Sequence, residues 1–308
     1  MLETDGLVHI LDREILKRKK NIRVMVNDLD GNLTNLHTEE IYRLLIESIQ
    51  QFLPTKLADE FKQHTVDDFI SKGEFPLGWF IDTNNGNLIL ADEEGTIIRA
   101  KRGIIYLDPD QISKSYKGRK IQMPSSMNPD HEKPRFLPFC DGFDYIEGTV
   151  KSTIASIQHL PKKHLPKDSL KQIDAAWYRA HHDTEHGFKV KILKEGPEKY
   201  GIVRDKDTVD FMREIHSRYG SILFTSSPGW FVDPILESIG LRRYFHNVLT
   251  GIKKPGCFYH ASESSLFDAV GALGAEQLQQ VFYMGDHIYK DTIGARAAGF
   301  CAGLRMPK

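Results

Sequence analysis

Cysteine is scarce in this chain. Cys140, Cys257 and Cys301 stand singly, with no CxxC pair and no even-numbered set. That argues against a disulfide framework and a structural zinc site, and fits a reducing compartment. Long apolar runs are missing too. No stretch reaches the roughly 18 apolar residues needed to span a bilayer. The opening MLETDGLVHILDRE carries acids where a secretory signal would be apolar. A soluble, cytoplasmic protein with no membrane partner is expected. An excess of one charge is also lacking: 41 basic residues face 42 acidic ones, for a net charge of −1. A broad basic field for a nucleic-acid polymer is therefore disfavoured. The short basic run from Lys17 to Lys20 reads as a solvated helix end. No internal repeat is visible.

What is present is enough apolar material, 40% of 308 residues, for a sizeable core. The length suits a core plus an inserted unit better than one compact domain. Residues 22–27, IRVMVN, are apolar and β-branched and run into the turn-forming DLDGN, as a buried strand meets a loop. Residues 38–53 set Ile41, Leu44, Leu45, Ser48, Ile49 and Phe52 on one helical face, with Thr38 as cap. From 79 to 107, apolar runs broken by NNGN and DEEG predict a β-meander. Residues 109–138, with MPSSMNPDHEKP at their loosest, read as a long surface connection. A polar helical pattern fills about 142–200. A helix over 207–219 turns Val209, Phe211, Met212 and Ile215 inward and ends at Gly220. SILFTSS is a second strand-to-loop unit. Helices follow over 229–240, with Gly240 as C-cap, and over 264–274. VFYMGD, 281–286, is a third strand ending in an acid.

This βαβ spacing implies an α/β fold: a doubly wound, Rossmann-like parallel sheet with a large inserted region after the first strand. Residues 1–37 and 196–308 form the core in this reading, and 38–195 the insertion, with the meander at about 79–107 and a helical cap at about 142–195. Ligands bind such sheets beyond the carboxyl ends of the strands.

Four fragments belong at those strand ends: Asp28-Leu29-Asp30-Gly31-Asn32-Leu33, Thr225-Ser226-Ser227, Lys253-Lys254-Pro255, and Gly285-Asp286-His287 with Asp291 beyond. Singly they are dull: a DxD loop, a helix cap, a solvated turn. Together and in this order they suit phosphoryl transfer. A phosphate ester repels an anionic nucleophile, so charge must be neutralised first. Asp28 and Asp286 can hold a hard cation, for which Mg2+ is the natural choice. Lys254 adds positive charge on the phosphate, and Thr225 with the N–H groups after it can bond the phosphate oxygens. Asp28 attacks phosphorus as nucleophile, and Asp30 serves as acid and then base. Asp291 orients Lys254 or a metal-bound water.

These residues resemble the haloacid dehalogenase superfamily. VMVNDLDGNL, the FIDTNNGNLILAD meander, TGIKKPGCFY and FYMGDHIYKDT more narrowly resemble the cytosolic purine 5'-nucleotidases of the IMP/GMP type, from about residue 22 onward with a weak stretch at about 110–170. The resemblance implies Asp28 as nucleophile, Asp30 as acid/base, and metal contacts from Asp28, the Asp30 carbonyl and Asp286. It implies phosphate contacts from Thr225, Ser226 and Lys254, and nucleotide contacts from Arg179 and Asp183 in WYRAHHD. Asn32 stands where Thr is usual, Gly31 where the narrow family often has Tyr, and Lys290 where Gly is usual. The chain also stops soon after its last motif, so effector segments are not expected and a homo-oligomer is left open.

In such a design the inserted unit lies over the strand ends and reads the substrate. Asp183 could accept N–H groups from a hypoxanthine or guanine edge, and Trp177, Tyr178 and Phe188 could stack on the base. The plain alternative is an amphipathic helix with Trp177 in its core. The same stretch holds a rival pattern, His182-Asp183-Thr184-Glu185-His186, which matches the H-x-x-E-H of some zinc peptidases. The expectation is Mg2+-dependent hydrolysis of purine nucleoside 5'-monophosphates. The alternatives are a phosphatase acting on a sugar phosphate or other small metabolite, and a catalytically weak binding homologue.

Overall fold

The apolar run before Asp28 becomes the central strand of a parallel sheet. The computed structural model describes residues 8–9, 21–30, 33–34, 38–51, 53, 55–65, 79–92, 94–103, 105–121, 135–138, 146, 148–153, 169–251, 265–285, 291, 294–297 and 299–305. Along the chain come β1 (Val8–His9), β2 (Val24–Asn27), α1 (Thr38–Gln50), α2 (Thr55–Thr65), β3 (Trp79–Asp82), β4 (Leu88–Ala91), β5 (Ile97–Arg102) and β6 (Ile105–Tyr106). Next are α3 (Pro109–Tyr116), β7 (Phe136–Pro138), α4 (Ser169–Glu195), α5 (Lys206–Arg218), β8 (Gly220–Phe224) and α6 (Gly229–Ser238). The last are β9 (Asn247–Leu249), α7 (Ser265–Ala272), β10 (Val281–Gly285), α8 (Gly294–Ala297) and β11 (Cys301–Arg305). Two compact units divide these elements. One draws its described residues mainly from Met1–His37 and Lys189–Lys308, the other from Thr38–Pro124 and His131–Phe188.

The first unit holds a sheet of order β1-β11-β10-β2-β8-β9. β11, β10, β2, β8 and β9 are parallel, and β1 lies antiparallel on the β11 edge. The chain steps from β2 to β8 and β9 on one side, then returns to β10 and β11 on the other. The strand order thus reverses at β2, and a crevice opens at the carboxyl end of such a strand. Strand residues alternate faces. Val24 and Val26 join Ile222, Phe224, Val281, Tyr283 and the α7 residues Leu266 and Val270 in one buried cluster. α5 also packs on β8, and its buried Val209, Phe211, Met212 and Ile215 are the residues expected from the pattern. Burying each large aliphatic side chain contributes about 1.5–3 kcal/mol. Gly220 opens β8 rather than capping α5, and a Cβ there would meet the Leu273 Cβ at 2.9 Å. Gly240 does have the left-handed backbone of a C-cap, φ 72°.

The second unit carries the meander, extended to five strands in the order β6-β5-β4-β3-β7, all antiparallel. Two sequence expectations change here. The stretch 109–138 is not all connection. Asp108 caps α3 in a capping box with Gln111, Pro109 takes the first turn, and Phe136–Pro138 pairs with β3. MPSSMNPDHEKP itself lies outside the described residues. The buried face of α1 is also shifted by one position. Tyr42, Leu45, Ile46 and Ile49 are buried with Leu53, Ala58 and Phe61, while Leu44 is 37% exposed. Both stripes are helical and share Leu45 and Ile49, and packing against α2 selects between them. Ser48 is half-buried, and Ile41 and Phe52 lie outside the described side chains.

A polar knot joins β7 to β3. Asp82 is fully buried and accepts from Arg135 Nε at 2.9 Å and from a second guanidinium nitrogen at 2.7 Å. Arg135 also sits over the rings of Tyr116 and Phe136, and burial pushes the Tyr116 hydroxyl above its usual range. Removing the arginine would strand a buried carboxylate. Arg135→Ala should therefore lower the stability of this unit by about 3 kcal/mol. Denaturant unfolding followed by a signal from this unit tests it, and a loss under about 0.5 kcal/mol would contradict the pairing.

Candidate active site

Asp28 is the first residue past β2 and is 7% exposed. Its N–H donates to the Met284 carbonyl at 2.9 Å, continuing the β2–β10 ladder by one step. Its Oδ1 accepts the Leu29 N–H at 2.8 Å. The backbone then turns sharply. The Leu29 carbonyl accepts from Leu33 N at 2.8 Å and Thr34 N at 3.1 Å, and Asp30 bridges to Thr34. Two carboxylates two residues apart are thus held at the end of the switch-point strand. Gly31 and Asn32, inside this turn, lie outside the described residues.

The second fragment lies one strand away. β8 runs beside β2, with Leu223 opposite Asn27, so Thr225 falls just past the level of Asp28. Thr225 is buried, and its N–H donates to the Leu249 carbonyl of β9 at 3.0 Å. Its Oγ1 accepts the Ser227 N–H at 3.2 Å, which leaves the hydroxyl proton available to donate. Ser226 is exposed. Ser227, which sequence reasoning left without a role, is buried, and its Oγ donates to Asp30 Oδ2 at 2.8 Å. That bond ties the first fragment to the second. Its only signal in the sequence is a third hydroxyl in the TSS loop.

On the other side of β2, β10 ends at Gly285, next to Asp28 in register. Asp291 folds back onto this glycine. It is fully buried, its Oδ1 accepts from the Tyr283 hydroxyl at 3.3 Å, and a Cβ on Gly285 would lie 2.2 Å from its Oδ2. Asp286, Lys253 and Lys254 lie outside the described residues. Asn27, the last residue of β2, is fully buried with neither amide atom bonded among the described residues.

The described residues gather no group of three or more His, Cys, Asp or Glu side chains that could hold a metal. The donors flanking the β2 end still fit a hard cation in kind. Asp28, Asp30 and Asp291 each carry carboxylate oxygens, with no soft or imidazole donor described among them, a chemistry that suits Mg2+ better than zinc. The close approach of Asp291 to Gly285 is a cradle that any side chain at 285 would fill.

In the second unit, Arg179 and Asp183 sit four residues apart on α4, a spacing that puts them on one helix face. The Asp183 side chain is exposed, with Oδ1 3.7 Å from His182 Nδ1. The side chains of Arg179, Trp177 and Tyr178 lie outside the description. Phe188 is 2% exposed and is core, not a stacking platform for a base. His182 and His186 lie one turn apart with parallel rings 6.3 Å apart, and no third metal ligand joins them among the described residues. No helix among the described residues is long and apolar enough to cross a membrane.

A doubly wound sheet whose switch-point strand ends in a buried aspartate, with a second aspartate tied beside it, is an arrangement compatible with phosphoryl transfer. The chain belongs to the 5' nucleotidase family, whose profile matches residues 18–278, and it is a phosphoric monoester hydrolase. A search of curated proteins finds no match. Solved structures that it resembles distantly include a predicted phosphoglycolate phosphatase from Haemophilus somnus, at 14% identity, covering 92% of this chain and 84% of that one, TM-score 0.37. A HAD-superfamily hydrolase from Geobacter sulfurreducens aligns at 12% identity, 92% and 86% coverage, TM-score 0.33. The magnesium-bound HAD-hydrolase YfnB from Bacillus subtilis aligns at 11% identity, 92% and 87% coverage, TM-score 0.35. The family match, not these distant likenesses, carries the assignment.

Adding one methyl group tests the packing at the end of β10. Gly285→Ala should cost about 1–3 kcal/mol through overpacking against Asp291 and should depress turnover as well. Thermal unfolding and phosphate release measure the two effects. An unshifted midpoint would mean that Asp291 does not lie on the glycine.

Proposed function

We propose that this chain hydrolyses purine nucleoside 5'-monophosphates, of the IMP and GMP type, to nucleoside and phosphate, with Asp28 as the phosphoryl acceptor. The observation that supports this best is the buried Asp28 at the strand-order reversal, with Asp30 held two residues on. The family match to 5' nucleotidases over residues 18–278 supports the substrate class.

Asp28 attacks phosphorus and an aspartyl-phosphate forms as the nucleoside departs. Asp30 donates a proton to the leaving oxygen and later takes one from the hydrolytic water. The Thr225 hydroxyl, Ser226 and Lys254 bind the phosphoryl oxygens. Mg2+ is the cofactor in this reading; when bound it lowers the repulsion between Asp28 and the incoming dianion. Asp28, the Asp30 carbonyl and Asp286 would hold it, with Asp291 supporting from behind Gly285. Arg179 and Asp183 read the nucleotide, Asp183 by accepting N–H groups of the purine.

A phosphate-release screen over nucleoside monophosphates and sugar phosphates tests the reading. Activity should be highest on purine 5'-monophosphates and should disappear with EDTA. Asp28→Asn should remain folded and lose roughly a thousandfold or more in kcat. Retained turnover would show that another residue accepts the phosphoryl group. For the base, Asp183→Ala should raise KM on guanine and hypoxanthine nucleotides by about tenfold or more, given about 1–3 kcal/mol for a paired base edge. Equal losses on pyrimidine nucleotides would remove Asp183 from base recognition.

A further inference from the structure

We propose that Ser227 is a positioning residue that selects which oxygen of Asp30 carries the catalytic proton; this rests on the acid–base role given to Asp30 above. Ser227 Oγ donates to Asp30 Oδ2 at 2.8 Å, across 197 residues of sequence. The serine is itself fixed at both of its backbone polar groups. Its N–H donates to Thr225 Oγ1 at 3.2 Å, and its carbonyl accepts the Gly251 N–H at 2.9 Å. It is 2% exposed, so water does not compete for its hydroxyl. The backbone that carries this hydroxyl is therefore anchored independently of the carboxylate it bonds.

The consequence is chemical. The serine's hydrogen bond falls on Oδ2, which makes Oδ1 the oxygen that exchanges protons in this reading. In the first half-reaction an Asp28 oxygen bonds to phosphorus and the bond from phosphorus to the ester oxygen breaks. The proton on Asp30 Oδ1 moves to that oxygen, which leaves as a neutral nucleoside hydroxyl. In the second, a water oxygen bonds to phosphorus and the Asp28–phosphorus linkage breaks. Asp30 Oδ1 recovers a proton from the water, and inorganic phosphate leaves. Ser227 exchanges no proton in either half. The loop therefore divides its hydroxyls: Thr225 and Ser226 serve the phosphate, and Ser227 serves the acid.

The test uses two leaving groups. A nucleoside alkoxide needs a proton to depart, whereas p-nitrophenolate does not. Ser227→Ala should lower kcat on a purine nucleoside monophosphate by about tenfold to a hundredfold, part of what a placed acid provides. KM should stay within about twofold, since binding is not touched. In single-turnover assays the phosphorylation step should lose much less on p-nitrophenyl phosphate than on the nucleotide, while hydrolysis of the intermediate, common to both, slows alike. Ser227→Thr, which keeps the hydroxyl, should recover most of the rate. Equal losses in the phosphorylation step on both substrates would show a merely structural role and overturn the proposal, as would an unchanged kcat on the nucleotide. Should Ser227→Ala prove too unstable to assay, Ser227→Cys takes its place with the same substrate contrast. Asp28→Asn assayed alongside separates the two ideas. Activity in that variant defeats the acceptor assignment, whereas an inactive Asp28→Asn beside an unaffected Ser227→Ala defeats only the tie.

Discussion

The structure depends on keeping a carboxylate almost out of water at the end of its central strand. An ionised group in such a place is costly unless the protein surrounds it with compensating dipoles and charges. Much of the first unit can be read as that surround. Parallel pairing on both sides of β2 brings the carboxyl ends of β8 and β10 to the level of Asp28. The Leu29 N–H bonds the carboxylate directly. Ser227 ties the neighbouring Asp30 to the next strand, and Gly285 lacks the side chain that would push Asp291 away. Such preorganised donors and carboxylates are the setting that the proposed chemistry requires.

The sheet was legible in the sequence because each of its central strands is both a continuous apolar run and the prelude to a polar turn. IRVMVN before DLDG, SILF before TSS and VFYM before GD are such boundaries, and a parallel strand buried on both faces must read this way. The meander was legible for the opposite reason: NNGN and DEEG are turns whose chemistry is local. Of the candidate site, the placing of Asp28, Asp30 and Thr225 at neighbouring strand ends followed, since a parallel sheet sends successive strand ends to one edge; Lys254 and Asp286 lie outside the described residues.

What escaped was decided by tertiary context. β7 is three residues long and pairs with β3 across 53 residues of chain through Arg135 and Asp82, a contact that no local pattern announces. The α1 stripe could be drawn at either of two offsets, and α2 chose. The Asp108 cap is a different case. DPDQ carries a full local signal, with an acid, a proline in the first turn and a glutamine at the third position, but it was absorbed into a polar stretch read as connection. Ser227 looked like a phosphate ligand's neighbour because a hydroxyl in sequence does not say to whom it donates.

The central claim is that Asp28 itself takes the phosphoryl group. The direct measurement is rapid acid quench during turnover, reduction of the trapped acyl phosphate with borohydride, and peptide mapping. The account predicts reduction of an aspartyl to a homoserine residue at position 28 alone. Turnover with no trapped intermediate, or with the reduced residue at another aspartate, would contradict it.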